Sequence, residues 1–379
     1  MCPGPEVNLI ERAKLLFPND IKVDHHVGRY ISTYTGYSNN EEMRFLSTSG
    51  GLLSQFLIYM LDKNIIDGAI VTGNSSLNPL DSHTYIARTS EDILRAKGSK
   101  YSPVSMNGII SEIKGSSGKY IVVGLPCHIE GFRKYEQLHK SIQKKILGYI
   151  SLFCSGVKKY PSQEYLLNAY KVDSKDIKDF TYRTDGCLGS MKITNNDGSV
   201  KKIPYREYHT RLRGFFTPSR CMLCVDHYGE LADMSIGDIH IGEYKNDNIG
   251  VNSIIVRNSI FHVHLLEAEK SRYLSLAPVS VDTVKESQIY VYKHQKGPGV
   301  EMENTIRRIL GKPVPNYGYN ISDNYSIKYF ARFLRNSIFR KIGTITQLWF
   351  IIDLIDIISK FGKKLKSNGN SNSEDEYGQ

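Results

Sequence analysis

The stretch that decides the predicted fold is KYIVVGLPCHIEGFRKYEQLHKSIQKKILGYISLFC, residues 119 to 154. Two apolar runs, residues 119–124 and 146–154, flank a more polar segment with the composition of a helix. Short continuous apolar runs are typical of strands buried on both faces of a parallel sheet. Two strands joined by a helix are normally parallel and lie close together in one sheet. The sequence therefore predicts a mixed α/β fold whose core is a parallel sheet with βαβ units.

Two cysteines follow these apolar runs directly. Cys127 comes just after the first predicted strand, and Cys154 ends the second. Ligands of open parallel sheets bind beyond the carboxyl ends of the strands. Because neighbouring strands lie roughly 5 Å apart, both thiols could reach one centre. The alternative is that either cysteine is simply a small buried residue.

A C-x-x-C pair, Cys221 and Cys224, adds two more thiols, because a tight turn points both sulfurs to the same side. Four thiols with no histidine in their spacing suit either structural zinc or a [4Fe–4S] cluster. Structural zinc usually takes two local pairs, whereas here two cysteines stand alone at strand ends, which favours the cluster. Cys187 has no neighbouring cysteine in the sequence and is interpreted as a bystander.

Two segments with small residues could bind an anionic group such as a phosphate. A glycine pair at residues 50–51 precedes an apolar helix predicted over residues 52–61, and it would expose backbone N–H groups at the positive helix end. The loop at residues 98–101 combines small residues with a lysine and a tyrosine, which suit a phosphate and an aromatic ring. The alternatives are that the glycines only allow close packing and that the loop is an ordinary surface loop.

The pattern changes from residue 175 to short alternating strands with polar turns. The sequence Asn-Asn-Asp-Gly at residues 195–198 lies between two such runs and predicts a β-hairpin. This region is predicted to be an antiparallel insertion that carries the C-x-x-C pair at its end. The acid-and-glycine run at residues 232–238 is interpreted as the return into the sheet rather than as a metal motif.

The chain becomes helical and basic beyond residue 320, and residues 345–361 are apolar. Asp353 and Asp356 interrupt this apolar segment, which is also short for a membrane span. It is interpreted as an amphipathic helix packed on the body of the protein, and the alternative is a helix that contacts a membrane surface or a partner. Residues 363–379 form a polar tail that is predicted to be disordered.

The composition narrows the class of protein. The chain has 379 residues and a formal net charge of +10, from 49 basic and 39 acidic residues. The excess charge is scattered rather than clustered, so no nucleic-acid partner is expected. Six cysteines in a chain of this length are too few for a disulfide scaffold, which favours metal or redox use. The first residues lack the charged start and apolar core of a signal peptide, so a cytoplasmic location is expected.

Eight stretches between roughly residues 25 and 260 form a series: SGGLLSQFLIYMLDKNIIDGAIVTG, GSKYSP, VVGLPCHIEGFR, SLFCSG, the YRTDG turn, C-x-x-C-x-D, LADMSIGD and SIIVRN. Together and in this order they resemble the coenzyme F420 hydrogenase/dehydrogenase beta-subunit family, which also includes 7-hydroxymethyl chlorophyll a reductase. Each stretch alone is a weak signal, whereas the ordered series is specific.

The resemblance implies an iron–sulfur flavoprotein oxidoreductase. Members of the family bind FAD and a [4Fe–4S] cluster, and they pass electrons between the cluster and a hydride-accepting substrate such as the F420 deazaflavin. Carried over by position, the implied cluster ligands are Cys127, Cys154, Cys221 and Cys224. The implied flavin contacts are Ser49, Gly50, Gly51, Gly98, Ser99, Lys100, Tyr101, Gly237 and Asp238.

Many family members carry an N-terminal ferredoxin-like segment with two further clusters. Here only Met1–Gly4 resembles its last cysteine–proline, so the ferredoxin is expected either as a separate protein or before a truncated start. The expected partners are therefore a ferredoxin-like electron carrier or a partner subunit, together with a small-molecule redox substrate. Two other functions stay open: a non-catalytic accessory protein of polysaccharide biosynthesis that retains the fold, and a structural zinc protein.

The expected domain division has four parts. Residues 1–24 are a lead-in that could be a remnant of the ferredoxin segment, and residues 25–320 form the flavin and iron–sulfur domain. Residues 321–362 form a C-terminal helical region, and residues 363–379 form the tail.

Overall fold

The computed structural model describes residues 6–212, 214–288, 295–321 and 326–369, with side chains described up to residue 362. The strands of these residues are β1 (Lys22–Asp24), β2 (Gly28–Tyr30), β3 (Ser32–Ser38), β4 (Gly68–Asn74), β5 (Ser82–Ala87), β6 (Tyr120–Gly124), β7 (Ile146–Leu152), β8 (Ile177–Thr184), β9 (Ser190–Asn195), β10 (Val200–Pro204), β11 (Met234–Asp238), β12 (Asn252–Val256) and β13 (Leu274–Pro278).

The α-helices of the same residues are α1 (Leu9–Leu16), α2 (Glu41–Leu46), α3 (Leu52–Asp62), α4 (Ser90–Ala96), α5 (Ile109–Gly115), α6 (Pro126–Leu138), α7 (Lys140–Gln143), α8 (Pro161–Ala169), α9 (Tyr205–Leu212), α10 (Ser259–Lys270), α11 (Val281–Ser287), α12 (Pro298–Ile309), α13 (Ile327–Thr344) and α14 (Trp349–Gly369).

The central sheet has eight strands within the described ranges, in the order β13-β3-β12-β11-β7-β6-β4-β5. The strands β11, β7, β6 and β4 are parallel neighbours, and the other pairings are antiparallel. Val122 in β6 lies beside Tyr149 in β7, so the two strands predicted within residues 119–154 are parallel neighbours. The predicted mixed α/β fold with a parallel core is confirmed.

Helices cover both faces of the parallel strands, because these strands are apolar on both sides. Ile121 and Ile150 pack in the layer formed with α3, α4 and α10. Tyr120 and Val122 pack in the opposite layer, with α1, α5 and α6. All four side chains are fully buried. Successive residues of a strand face opposite sides of the sheet, which explains the continuous apolar runs in the sequence.

A separate three-stranded antiparallel sheet, in the order β10-β9-β8, follows β7 along the chain. The strands β9 and β10 form the predicted hairpin, with its turn at residues 196–199. Met191 and Ile193 of β9 pack with Tyr208 of α9 and Ile352 of α14. The C-x-x-C pair follows α9, so the predicted antiparallel insertion leads directly to it.

The ends of the chain differ partly from the expectation. Helix α14 continues to Gly369, which corrects the prediction of disorder for residues 363–369, because lysine and leucine in this stretch are good helix formers. Residues 370–379 and the Met1–Gly4 motif lie outside the described residues. The lead-in is attached to the body through a bridge between Glu6 and Asn316. The other predicted domain limits stay predictions.

Asp233, within the acid-and-glycine run, joins β11 to β7 and α6. Its Oδ2 accepts hydrogen bonds from the Tyr149 amide and from Arg133 Nη2, each at 2.8 Å. Its Oδ1 accepts a third bond from Asn258 at 2.9 Å. A buried carboxylate with three donors is satisfied, so this acid holds the helix that carries Cys127 against the sheet. The interpretation of the run as a return into the sheet agrees with β11.

Replacing Asp233 by Asn is expected to lower the free energy of unfolding by about 2–4 kcal/mol, because it leaves the buried Arg133 guanidinium without this carboxylate. Chemical denaturation followed by circular dichroism measures the change. The control is Asp282→Asn, whose side chain is 70% exposed and whose loss should stay within about 0.5 kcal/mol. Equal losses in both variants would contradict the role assigned to Asp233.

Candidate functional site

The four candidate cysteines lie beyond the carboxyl ends of the central parallel strands. Cys127 is the second residue of α6, directly after β6, and Cys154 follows β7. Cys221 begins a single 3₁₀ turn, and Cys224 directly follows it. Cys127 reaches solvent, but desolvation by the surrounding protein raises its pKa, and the charges of Cys154, Glu130 and Cys221 raise it further. Burial also raises the pKa of Cys224, to which Cys154 and Cys127 contribute. The structure thus brings the four side chains together.

Backbone contacts hold the segments of Cys154 and Cys221 against each other. The Cys154 amide donates to the His227 carbonyl at 3.0 Å, and the Gly156 amide donates to Cys154 Sγ at 3.4 Å. Gly156 has a φ of +118°, and a Cβ added there would lie 3.2 Å from the Cβ of Cys221. A glycine at this position therefore allows the two cysteine segments to approach closely.

The spacing of the thiols bears on the kind of metal site. Within the described ranges, no three His, Cys, Asp or Glu side chains are close enough together to hold one metal ion. Four thiolates around one zinc would each lie about 2.3 Å from the metal. A [4Fe–4S] cluster binds each cysteine through a different iron and accepts a wider spacing. The donor set of four thiols without a histidine suits both kinds of site.

A buried carboxyl group lies beside these thiols. Glu130 is 1% exposed, and neither of its side-chain oxygens has a hydrogen-bond partner among the described residues. Burial raises the pKa of Glu130 to about 8, and the charge of Asp226 adds to this effect. Arg220 is a nearby cation that acts on both Glu130 and Cys127. Thiols and acids thus gather beside the cations Arg220 and Lys158, and the thiols would bind a metal core as thiolates.

The three segments predicted to contact a flavin converge around Arg183. Ser99 Oγ lies 3.2 Å from Thr48 Oγ1, which links the loop at residues 98–101 to the glycine pair. Arg183 donates to the Thr48 carbonyl at 3.2 Å and to Asp238 Oδ2 at 2.7 Å. Segments that are far apart in the sequence therefore meet at the carboxyl end of β11, and we call this junction of the three segments the crevice.

Arg183 itself is a residue that the sequence analysis does not single out. Its buried guanidinium lies 4.6 Å from the centre of the Tyr205 ring and donates to the Leu188 carbonyl at 2.9 Å. Burial alone would lower the pKa of Arg183, but Asp238 and neighbouring tyrosines raise it well above its ordinary value. The sequence feature that could have identified Arg183 is its position near the end of a strand, directly before the Thr-Asp-Gly of the YRTDG turn.

Several of the predicted flavin contacts also have structural roles. Gly50 has a φ of +83°, and an added Cβ would lie 3.0 Å from the Gly250 carbonyl oxygen. Gly237 faces the ring of Phe153 so closely that a Cβ would overlap it. Lys100 Nζ donates to three backbone carbonyls at the end of α4, at 2.6 to 3.1 Å. Close packing therefore accounts for part of this set, and the Lys100 amine shapes its own loop.

The remaining predicted contacts lie at the edges of the crevice. Ser49 Oγ donates to the Val251 carbonyl at 3.0 Å. Gly51, with a φ of +67°, is the N-cap residue of α3 and, as a glycine, provides no side-chain cap. The Tyr101 carbonyl accepts a hydrogen bond at 2.7 Å from the amide of Lys158, four residues after Cys154. This last bond ties the wall of the crevice to the cysteine site.

A cleft of about 470 Å³ opens beside Ser99 and Lys100. Its volume is in the range of sites for small molecules. Arg95, Lys97 and Lys178 add positive charge to its lining, and Asp179 adds a negative charge. The cleft therefore suits an anionic small molecule.

Comparison with known proteins places this geometry in a family. Residues 33–111 match the family model described as coenzyme F420 hydrogenase/dehydrogenase, beta subunit N-term, and residues 117–282 match the corresponding C-terminus model. The chain is 26% identical to the coenzyme F420 hydrogenase subunit beta of Methanosarcina barkeri, over 57% of this chain and 73% of that protein. It is 27% identical to the coenzyme F420-dependent sulfite reductase of Methanocaldococcus jannaschii, over 60% of this chain and 37% of that protein.

The fold has a counterpart among solved structures. A chain of the xenon-derivatized F420-reducing [NiFe] hydrogenase complex from Methanosarcina barkeri matches with a TM-score of 0.61 and 21% identity, over 78% of this chain and 99% of that chain. The two family models together span well over half of the sequence in the expected order. The chain therefore belongs to the coenzyme F420 hydrogenase/dehydrogenase beta-subunit family, whose named members are oxidoreductases.

Proposed function

We propose that this chain is an iron–sulfur flavoprotein oxidoreductase that moves electrons between a [4Fe–4S] cluster and a hydride-accepting substrate through FAD. The observation that carries the proposal is the convergence of four thiols beside a crevice that contains glycines. The hydrogen bond from the Lys158 amide to the Tyr101 carbonyl gives the two sites a common wall. Electron transfer between two bound cofactors requires such proximity.

The cluster would be held by Cys127, Cys154, Cys221 and Cys224. Burial raises the pKa of Cys154 to about 12, so a thiolate at this position needs a positive partner. Coordination to a metal supplies that partner and deprotonates the thiol. Cys127 and Cys154 stand singly after two different strands instead of forming a second local pair, which supports a cluster over the structural zinc alternative.

The flavin would occupy the crevice beside Gly50, Gly51, Ser99 and Asp238. A bound flavin supplies the exchange between a two-electron hydride step and single-electron steps, and the protein supplies placement and electrostatics. At the start of α3 the Leu52 amide donates to Asn252 Oδ1 at 3.3 Å, so the later first-turn N–H groups and the cationic cleft would favour phosphate oxygens. Arg183 fixes the two sides of the crevice relative to each other.

The substrate is proposed to be coenzyme F420 or a related hydride acceptor, because two similar proteins are named as F420-dependent enzymes. The structural counterpart belongs to a hydrogenase complex, which supports a partner subunit or a ferredoxin-like carrier as the electron partner. We also propose a cytoplasmic location. The five cysteines of the described residues are free thiols, as is usual for proteins of the reducing cytoplasm.

Anaerobic purification is expected to yield about four iron and four sulfide ions per chain, together with FAD. Replacing Cys221 by Ser should remove most of the iron, because the site loses one of its four thiolates. Iron, sulfide, zinc and released flavin are measured together. Cys187→Ser is the matched control, since Cys187 lies near Arg183 and Asp238 instead, and this variant should keep its iron.

Two outcomes of this experiment would count against the cluster. Zinc in place of iron would favour the structural zinc alternative. Unchanged iron in Cys221→Ser would show that the ligand set is wrong. A protein that holds cluster and flavin but reduces no hydride acceptor with any electron donor would instead support the non-catalytic accessory alternative.

Replacing Arg183 by Gln is expected to reduce the FAD content about fivefold or more, equivalent to roughly 1 kcal/mol, while the iron content stays unchanged. The variant loses the ion pair with Asp238 and weakens the bond to Thr48, so the crevice walls separate. Flavin released per iron is the measurement. Arg308→Gln, on a side chain that is 55% exposed, should change neither quantity. Parallel loss of iron and flavin would show a general structural role.

Replacing Lys178 by Glu is expected to weaken the rebinding of FAD to flavin-free protein about threefold to tenfold, because it reverses a charge in the cleft. Titration followed by flavin fluorescence gives the dissociation constant, and added salt should shrink the difference. Lys175→Glu is the control, since Lys175 is exposed nearby but is not part of the cleft lining. The same weakening in both variants would argue against phosphate binding in the cleft.

A further inference from the structure

The C-terminal helices carry an exposed apolar surface. On α14, five large apolar side chains are 51% to 65% exposed, and their spacing places them on one face of the helix. A contiguous apolar row of this kind marks an interaction site on a folded protein. We call this row the α14 stripe; it consists of Phe350, Leu354, Ile357, Ile358 and Phe361.

Helix α14 is attached to the body through a face that carries Trp349, Ile352 and two acidic residues, and the stripe lies outside this face. Arg211 Nη1 lies 2.7 Å from Asp353 Oδ1, and Arg211 Nη2 lies 3.1 Å from Asp356 Oδ2. Tyr165 OH also donates to Asp353 at 2.8 Å, while Ile352 is buried in the core. A surface helix ordinarily turns its apolar face inward and its charged face to solvent. Trp349 and Ile352 already bury an apolar part of α14 in the core, so the stripe is a second apolar row that is not required for attachment.

Helix α13 carries a similar row, which we call the α13 stripe. Its side chains recur at the spacing of one helical face and are 42% to 88% exposed. Phe339, by contrast, stacks on Phe215 of the body, with ring centroids 4.4 Å apart. The α13 stripe consists of Ile327, Phe330, Leu334 and Ile338.

The charge of this region is strongly positive. Residues 326–369 contain nine lysines and arginines and two acidic residues, and they account for most of the net charge of +10. Both acidic residues, Asp353 and Asp356, are paired with Arg211. Lys328, Arg335 and Lys341 are exposed on α13. The outward side of the helix pair therefore combines apolar rows with positive charge.

We propose that α13 and α14 lie on the surface of an anionic membrane, with the two stripes in the interface and the basic side chains at the phosphate headgroups. Apolar side chains on one face and lysines and arginines nearby are the features of helices that bind in this way. Within the described residues, a bent pair of helices at 116° satisfies length and apolarity for a span, and neither helix does so alone. Helices that lie in the membrane surface do not have to cross the bilayer, so the proposal is consistent with this finding.

The composition of the stripes favours a lipid over a protein partner. Protein interfaces are enriched in aromatic residues, methionine and arginine, and about one hydrogen bond forms per 100–200 Å². The two stripes consist only of isoleucine, leucine and phenylalanine, which offer no hydrogen bonds. This binding is independent of the proposed redox function, because none of the stripe side chains belongs to the cysteine site or the crevice.

Vesicle flotation of the full chain tests the proposal, with phosphatidylcholine vesicles compared with vesicles that also contain phosphatidylglycerol. The protein is expected to float with the anionic vesicles and to bind the neutral vesicles at least about tenfold more weakly. The double variant Leu354→Glu and Ile358→Glu should lose binding to both. The double variant Lys328→Gln and Lys341→Gln should lose binding mainly to the anionic vesicles.

The matched control is Leu77→Glu, since Leu77 is an apolar side chain that is 96% exposed on the loop between β4 and β5, outside both stripes. This variant should float like the unmodified chain, and circular dichroism checks that every variant is folded. Absence of flotation, or equal flotation of the Leu354→Glu and Ile358→Glu variant, would overturn the proposal. A dimer in light scattering that this variant converts to monomer, without any vesicle binding, would assign the stripes to a second copy of the chain.

Discussion

The parallel pairing of β6 with β7 determines where the chemistry of this chain is located. Because both strands run in the same direction, their carboxyl ends lie at one edge of the sheet, where Cys127 and Cys154 follow. Strand β11 pairs with β7 in the same direction, and its last residue, Asp238, belongs to the crevice wall. Asp233 anchors the start of β11 to its neighbours. The cysteine site and the crevice are therefore two parts of one sheet edge.

Buried charge at this edge is compensated unevenly. Lys296 Nζ lies 2.6 Å from Glu230 Oε1, and the Asp226 carboxylate accepts backbone hydrogen bonds from the turn after the C-x-x-C pair. Burial and the charge of Glu230 nevertheless raise the pKa of Asp226 to about 7. Glu130 lacks a hydrogen-bond partner among the described residues. Burying polar groups without partners costs free energy, and the raised pKa of Glu130, which favours its neutral form, limits this cost.

The parts of the site that local sequence encodes were predictable, and the parts that depend on long-range contacts were not. Apolar runs define β6 and β7, so the positions of Cys127 and Cys154 at the sheet edge follow from the sequence. The contacts of Arg183 come from residues 48, 188 and 238, which no local pattern connects. The amine of Lys100 is captured by carbonyls of its own loop, which only the folded backbone reveals.

One segment links the cysteine site to the C-terminal helices. Arg211, which pairs with the acids of α14, lies shortly before Cys221 in the chain. Between them, Phe215 stacks on α13, and the Phe216 carbonyl accepts a hydrogen bond at 2.8 Å from the Lys159 amide, five residues after Cys154. The same short segment therefore contacts both helices and both cysteine-bearing loops. A membrane surface that binds the two stripes would consequently fix the orientation of the sheet edge, and with it the side from which an electron partner reaches the cysteines.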